Sequence, residues 1–546
     1  MRKTLKIANH KTAMVSTMVQ NSERGSVERV ERWLAKKHFG VERVVILIFA
    51  CLLLYTIVFS FLSIYRHYAF GTHAWDLGIF TQSFWTTLNG NLFLYHTCEL
   101  IVNQTGVFFG VHFSPILFLV LPLYGIFQSP ETLLVLQSLI LALASIPIYM
   151  LAKETTGKRT IGIVFAAAYL LYPAIQHVNV YEFHVQSFLP LFFGFMTYFM
   201  IKEDWPKYFI FTFLALMCEE HASWIVFFVG LYIGWRYRGE IISSLRKKTF
   251  TNKKLIIACL TLVLSLVWYW FTLWQRSTFF PTNPETMSDF LGLGNFGILG
   301  ASNPIEVPIL IILRPLNAIE ALINNGILKL VFFVFIFGPL AFYSLKSLAS
   351  MIPAVPFFVF ALFSQSIFHH ILGTQYPAYL TFFIFAAAIF GFSRKPRNIK
   401  RPLVTIMVSS LVFFVIVSPL SPTVTLFPTN YKVVSFGNHE EMLQQVLETV
   451  PPNASILTQD NIFPHVSHRV EAYVIPDRWI QSGALQRISL EFVNQTMGQV
   501  EYVLVDGKTD PLAYDTAILM LRTKPQFILE TSLDGGTIRL YHQNIP

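Results

Sequence analysis

The sequence predicts a polytopic α-helical membrane protein of about eleven transmembrane helices, ending in a small C-terminal extracytoplasmic α/β domain. Three observations lead there. The 546 residues are 54% hydrophobic, 16% aromatic and only 13% charged, with a mean hydropathy of +0.54, too little polar surface for a soluble protein of this size. Long apolar runs recur between short basic loops. After about Ser421 the runs shorten to strand length, with polar residues between them. The net charge of +9 sits in the short loops, as membrane topology requires, so no nucleic-acid partner is expected.

Residues 1–43 form a basic tail expected in the cytoplasm, and without a cleavable-signal pattern Val44–Tyr65 acts as a retained span. The transmembrane region covers 44–420, with spans near 44–65, 131–152, 160–176, 186–201, 207–218, 222–235, 255–275, 326–345, 352–368, 371–392 and 402–420. The run Pro115–Phe127 is only about half a bilayer long as a helix and reads as re-entrant or interfacial. If it does not cross, the basic segments Lys153–Arg159, Lys202–Lys207, Arg236–Lys254 and Arg394–Arg401 all face the cytoplasm. The outside then receives the loop 65–130, the turns near 176–185, 219–221 and 369–376, the loop 276–325 and the tail. A multi-pass plasma-membrane protein with a cytoplasmic N-terminus follows.

The tail, 421–546, reads as strands at Ser455–Gln459, Val470–Val474, Glu501–Asp506, Gln526–Glu530 and Thr537–Tyr541, with helices at His439–Val450 and Pro511–Leu521. An Asp-Gly-Gly within Leu533–Thr537 marks a hairpin turn. The four Cys show neither a disulfide framework nor zinc spacing.

The chemistry lies in the outside turns. Asp76 sits in a Trp/Phe-rich stretch, Trp75–Phe80, just beyond the first span; a carboxylate there suits a general base at the membrane face, or caps a juxtamembrane helix. Each later external turn adds ionisable groups: His112 in the first loop, Glu182 and His184 in YEFHVQSF, Glu219, Glu220 and His221 in CEEH, and Tyr376 after two adjacent His. Such groups are costly beside apolar helices, and one membrane face allows them to converge on one cavity. Glu182 and His184 alternatively belong to a solvated loop. A divalent metal ion is a candidate cofactor, with His184, Glu219 and His221 as candidate ligands. Arg276 and Arg314 are candidates to meet a phosphate, or serve as interfacial anchors.

The segments WDLGIFTQSFWTTLNG, GVHFSPILFLVLPLYGIFQSPETLLVLQSL, YPAIQHVNVYEFHVQSFLPL, CEEHASW, TQYPAYLTFFIF and VPPNASILTQDNIFPHVSHR resemble the predicted membrane-protein family called domain-of-unknown-function 2079. That architecture is similar to C-type glycosyltransferases, multi-span enzymes that use polyprenyl-phosphate sugars and place an acidic residue in the first external loop. The resemblance implies that Asp76 is the catalytic base, and His112, Glu182, His184, Glu219, Glu220, His221, Arg276, Arg314 and Tyr376 of the external turns are the candidate substrate-binding residues. It further implies a polyprenyl-phosphate-linked sugar, membrane lipids, and a glycan, lipid or protein acceptor in the cell envelope as partners. The paired Asp-Glu and the Pro-Pro-Leu found in several branches of that class are absent, with HFSP in the comparable place. A transporter of a polar or lipid-linked solute is the rival reading, but no broken-helix pair or inverted repeat is visible in the sequence. A sensor or assembly scaffold has no need of carboxylates at the membrane face.

Overall fold

The computed structural model describes residues 25, 27–38, 40–248, 251–281, 293–301, 304–393, 399–480 and 485–543. Expectations for residues 1–24 of the basic tail and for 394–398 of the late basic loop lie outside them.

Among the described residues, six helices are long and apolar enough to cross a membrane, or up to eight if each of two bent pairs is one span. The first, Arg43–Tyr68, shows why: its 26 residues rise about 39 Å, beyond the roughly 30 Å of a hydrocarbon core, and Phe61 and Leu54 stay exposed as lipid-facing groups. Pro130–Thr156, Val185–Lys202, Lys253–Phe279, Tyr343–Phe363 and Lys400–Val417 complete the six. The runs expected near 207–218, 222–235 and 371–392 form helices of 12, 15 and 16 residues, and on length alone they do not reach across. Ala378–Ser393 is buried along nearly its whole length, so it is a central helix shielded by the others.

Among the described residues two apolar helix pairs are sharply bent, which hydropathy did not reveal. Arg159–Leu170 and Pro173–Val180 meet at 44°, where Pro173 cannot continue the helical ladder. Pro315–Ile323 and Gly326–Leu340 meet at 70°, with Asn325 in the left-handed region at φ +55°.

Helix Leu117–Ile126 has 10 residues, about 15 Å, and carries Pro122. Tyr68, at the end of the first span, donates its hydroxyl to Glu131, at the start of the next, at 2.6 Å. The chain between them therefore returns to the end of the bundle that it left. The opposite end gathers the basic turns: Arg159 pairs with Glu42 at 2.9 Å, Lys202 with Glu154 at 3.1 Å and Lys254 with Glu203 at 2.7 Å.

The C-terminal residues build a five-stranded mixed sheet from β1 (Ile456–Thr458), β2 (Ala472–Val474), β3 (Tyr502–Asp506), β4 (Ile528–Leu533) and β5 (Ile538–His542), in the order β2-β1-β3-β5-β4. β1 pairs in parallel with β2 and β3, while β5 runs antiparallel to β3 and β4. Each strand overlaps a segment that the sequence marked, and Asp534, Gly535 and Gly536 turn the hairpin with φ of 48°, 66° and 91°. Strand alternation divides the core. Tyr502 and Leu504 join the large core of the helical body, whereas Val503 and Val505 face helices Gln486–Thr496 and Pro511–Leu521. Covered on both faces, β3 reads as the unbroken apolar run YVLV. Short helices Phe463–Val466 and Asp477–Ile480, with Gln486–Thr496, were not visible as separate elements in the sequence.

The sheet unit sits against the end of the bundle that holds the acidic turns. Gln82 donates to the carbonyls of Arg469 and Ala472 at 3.0 and 3.2 Å, Thr81 bonds Ser467 at 2.8 Å, and Tyr124 bonds His468 at 2.7 Å.

Candidate active site

Asp76 lies on a wide π-type turn, Ala74–Gly78, that leads into helix Ile79–Asn89. The unpaired N–H groups of such a start need acceptors. Distant carboxylates supply them. Ala74 N–H donates to Asp460 Oδ1 at 2.7 Å, and His73 N–H and Leu77 N–H donate to Glu182 Oε2 at 2.9 and 3.1 Å. Glu182 thus holds the turn in place and also pairs its Oε1 with His73 Nδ1 at 2.6 Å.

Glu182 is itself held in an unfavourable backbone conformation, φ +81°. Gln137 explains it. Its buried amide donates to the carbonyls of Val178, at 3.1 Å, Asn179, at 3.0 Å, and Glu182, while its carbonyl accepts His184 N–H at 2.7 Å. One side chain from the span below thereby fixes the whole turn between Val180 and Val185.

That turn aims His184 at Asp76: Nε2 lies 3.0 Å from Oδ1, and both side chains are largely buried. A carboxylate only accepts, so Nε2 carries the proton. The Tyr181 ring stacks on the imidazole with centroids 5.2 Å apart. Burial works to raise the Asp76 pKa, but the His184 hydrogen bond and the nearby His73 and Arg478 outweigh it and hold the carboxyl below its usual range. His73 moves the other way: burial alone lowers it, and Glu182, Asp460 and Asp76 lift it to about 9.

Glu219, Glu220 and His221 form a second cluster with His112. His112 Nδ1 lies 3.3 Å from Glu219 Oε1 and 3.2 Å from Glu220 Oε1, and His221 Nδ1 lies 3.2 Å from Glu219 Oε1. Arg276 joins it, 3.7 Å from Glu220 Oε1, and donates to the Val111 carbonyl at 2.9 Å. Tyr376 is within electrostatic reach of Glu219 and of Asp76, and burial raises its hydroxyl pKa.

Two expectations need correction. His184, Glu219 and His221 do not form one ligand set, because Gln137 turns His184 toward Asp76; among the described residues, the groups of His, Asp and Glu close enough to share an ion are His73, Asp76 and Glu182, and His112, Glu219, Glu220 and His221. Arg314 is spent locally: it donates to the Leu299 carbonyl at 3.0 Å and, among the described residues, pairs with no carboxylate of either cluster.

Arg478 was missed. It belongs to the short helix Asp477–Ile480 of the C-terminal unit, is exposed, and lays its guanidinium over the Trp75 ring at 4.2 Å, one residue from Asp76. Its field reaches Asp76, Glu99, Tyr181 and Tyr376. No motif surrounds it, and only the fold brings residue 478 to residue 75.

The crystal structure of ArnT from Cupriavidus metallidurans bound to undecaprenyl phosphate shares the fold: at 10% sequence identity the match covers 91% of this chain and 97% of that one, with a TM-score of 0.51. Comparison with curated proteins returns no match. Residues 66–524 match the family described as Predicted membrane protein (DUF2079), and the chain belongs to that family.

Proposed function

We propose that this protein is a membrane glycosyltransferase that moves a sugar from a polyprenyl-phosphate donor to an acceptor on the outer face of the membrane. The observation that carries the proposal is the Asp76 carboxylate, ionised and oriented by His184, with the Arg478 cation beside it over Trp75. Support comes from the fold shared with ArnT, whose crystal structure holds undecaprenyl phosphate. In this reading the turns around Asp76 face outward with the C-terminal unit, the N-terminus is cytoplasmic, and the shorter apolar helices complete about eleven crossings shielded by neighbouring protein.

The reaction is an in-line displacement. An acceptor hydroxyl oxygen forms a bond to the anomeric carbon while the bond from that carbon to the lipid phosphate oxygen breaks, and the electron pair leaves on the phosphate. Asp76 Oδ2, the oxygen not held by His184, takes the hydroxyl proton. Arg478 meets the departing phosphate, a role expected from the sequence for Arg276 or Arg314. Glu182 acts through others, by positioning the turn that carries Asp76.

The test is transfer of labelled sugar from extracted lipid carriers by membranes containing the protein. The two bent helix pairs favour a transporter as the second reading, since substrate sites of transporters lie at discontinuous helices. No turnover of any extracted lipid-linked sugar, together with solute uptake into vesicles, decides for the transporter.

A further inference from the structure

The cluster at the turn before helix Ala222–Arg236 has the geometry of a metal site. His112, Glu219, Glu220 and His221 each offer one donor atom, and these four atoms lie within 4.8 Å of one another. His112 Nδ1 stands 3.3 Å from Glu219 Oε1 and 3.2 Å from Glu220 Oε1, and His221 Nδ1 stands 3.2 and 4.0 Å from the same two oxygens. Ligands at about 2.0–2.2 Å from a tetrahedral ion stand roughly 3.3–3.6 Å apart, so three of the four imidazole–carboxylate contacts already stand near that spacing, and the wider separations must close by up to about 1.5 Å.

The second observation is how the carboxylates are held. Glu219 keeps Oε2 on Gln186 Nε2, at 2.7 Å, and on the Tyr379 hydroxyl, which frees Oε1 to face both imidazoles. Glu220 keeps Oε2 on the Phe113 N–H at 3.2 Å and likewise presents Oε1. Outer donors that fix one oxygen and leave its twin to converge are the arrangement that supports ligating carboxylates. Both carboxylates are buried, while the His221 side chain is 53% exposed and gives an ion a path in. Arg276, near Glu220, offsets part of the negative charge, so the site suits one dication and not two.

We propose that His112, Glu219, Glu220 and His221 bind a divalent first-row metal ion, with zinc the best match to two imidazoles and two carboxylates. The ion staples the loop that ends at His112 to the turn Glu219–His221 and does not itself depend on the sugar-transfer reading.

The experiment uses the full-length protein in lipid nanodiscs, stripped by chelator and titrated with zinc alone and with cobalt alone. The expected result is one zinc per chain, visible cobalt absorption typical of four-coordinate nitrogen and oxygen ligation, and a higher unfolding temperature on metal addition. His221→Ala, at the exposed ligand, and Glu219→Gln should each weaken zinc binding by about 100-fold or more. Asp76→Asn should bind zinc like the parent, which separates this site from the proposed catalytic one. A parent protein that takes up no zinc below about 1 mM, or a His221→Ala variant with unchanged occupancy, overturns the proposal. The parent titration decides the matter even where a variant fails to fold.

Discussion

Glu182 offers the sharpest structural prediction, because three separate contributions meet there with known signs. Its carboxylate accepts two backbone N–H groups and pairs with His73, and its backbone sits at φ +81°. In Glu182→Gln the carbonyl oxygen replaces Oε2 toward His73 N–H and Leu77 N–H, so the loss is the charged bond to the imidazole, about 1.5–3 kcal/mol. In Glu182→Ala both N–H groups lose their acceptor as well, at about 1–3 kcal/mol for the buried Leu77 N–H and less for the part-buried His73 N–H. Glu182→Gly loses the same contacts but relieves the left-handed backbone, which returns roughly 1 kcal/mol relative to Ala. The expected order of thermal stability in detergent is parent, Gln, Gly, Ala. A kilocalorie moves the midpoint by about 2–4 °C in domains of 150–250 residues and by less in a chain this long, so differential scanning with repeated samples is the suitable assay. Equal midpoints for Gly and Ala refute the strain argument, and a Gln variant as unstable as Ala refutes the account of the two backbone acceptors.

Arg478→Ala should raise the apparent KM for the lipid donor by roughly 10- to 100-fold, measured in the sugar-transfer assay, whereas Arg314→Ala, whose guanidinium is occupied by Leu299, should leave it unchanged. Stability should fall as pH rises from about 6.5 to about 9, because native His73 keeps a proton that the unfolded residue has already released, and Glu182→Gln should flatten that slope; parallel slopes contradict the pairing. Cysteines placed at Ser244 and Glu530 in a Cys-free background should label from opposite sides of the membrane, with Ser244 inside; labelling from one side overturns the topology.

Much of the fold was legible in the sequence for simple physical reasons. Long spans such as Arg43–Tyr68 carry no polar face, and the strand at Tyr502–Asp506 is a short apolar run between polar neighbours. The run Pro115–Phe127 forms a helix of only 10 residues, Leu117–Ile126, carrying Pro122, and both length and Pro were visible in the sequence. What stayed hidden was anything decided by contacts far apart in sequence. The break before Pro173 is not distinguishable by hydropathy from one continuous run. Asp76, His184 and Glu182 were marked as neighbours in function, yet the agent that joins them, Gln137, is an ordinary residue inside an apolar helix. Arg478 has no local signal at all. Conversely, Glu219 and His221 share a face with Asp76 but belong to a cluster of their own with His112, a grouping that sequence spacing cannot separate.

The central claim, that Asp76 is the base for sugar transfer, is tested most directly by comparing parent and Asp76→Asn proteins at matched expression, with labelled sugar on extracted polyprenyl-phosphate carriers. Asparagine nearly preserves size and still accepts the His184 hydrogen bond through its carbonyl, so the site should keep its shape. The proton acceptor is gone, and the rate should drop by about 10² to 10⁴ while the chain remains folded. Undiminished transfer by Asp76→Asn contradicts the account.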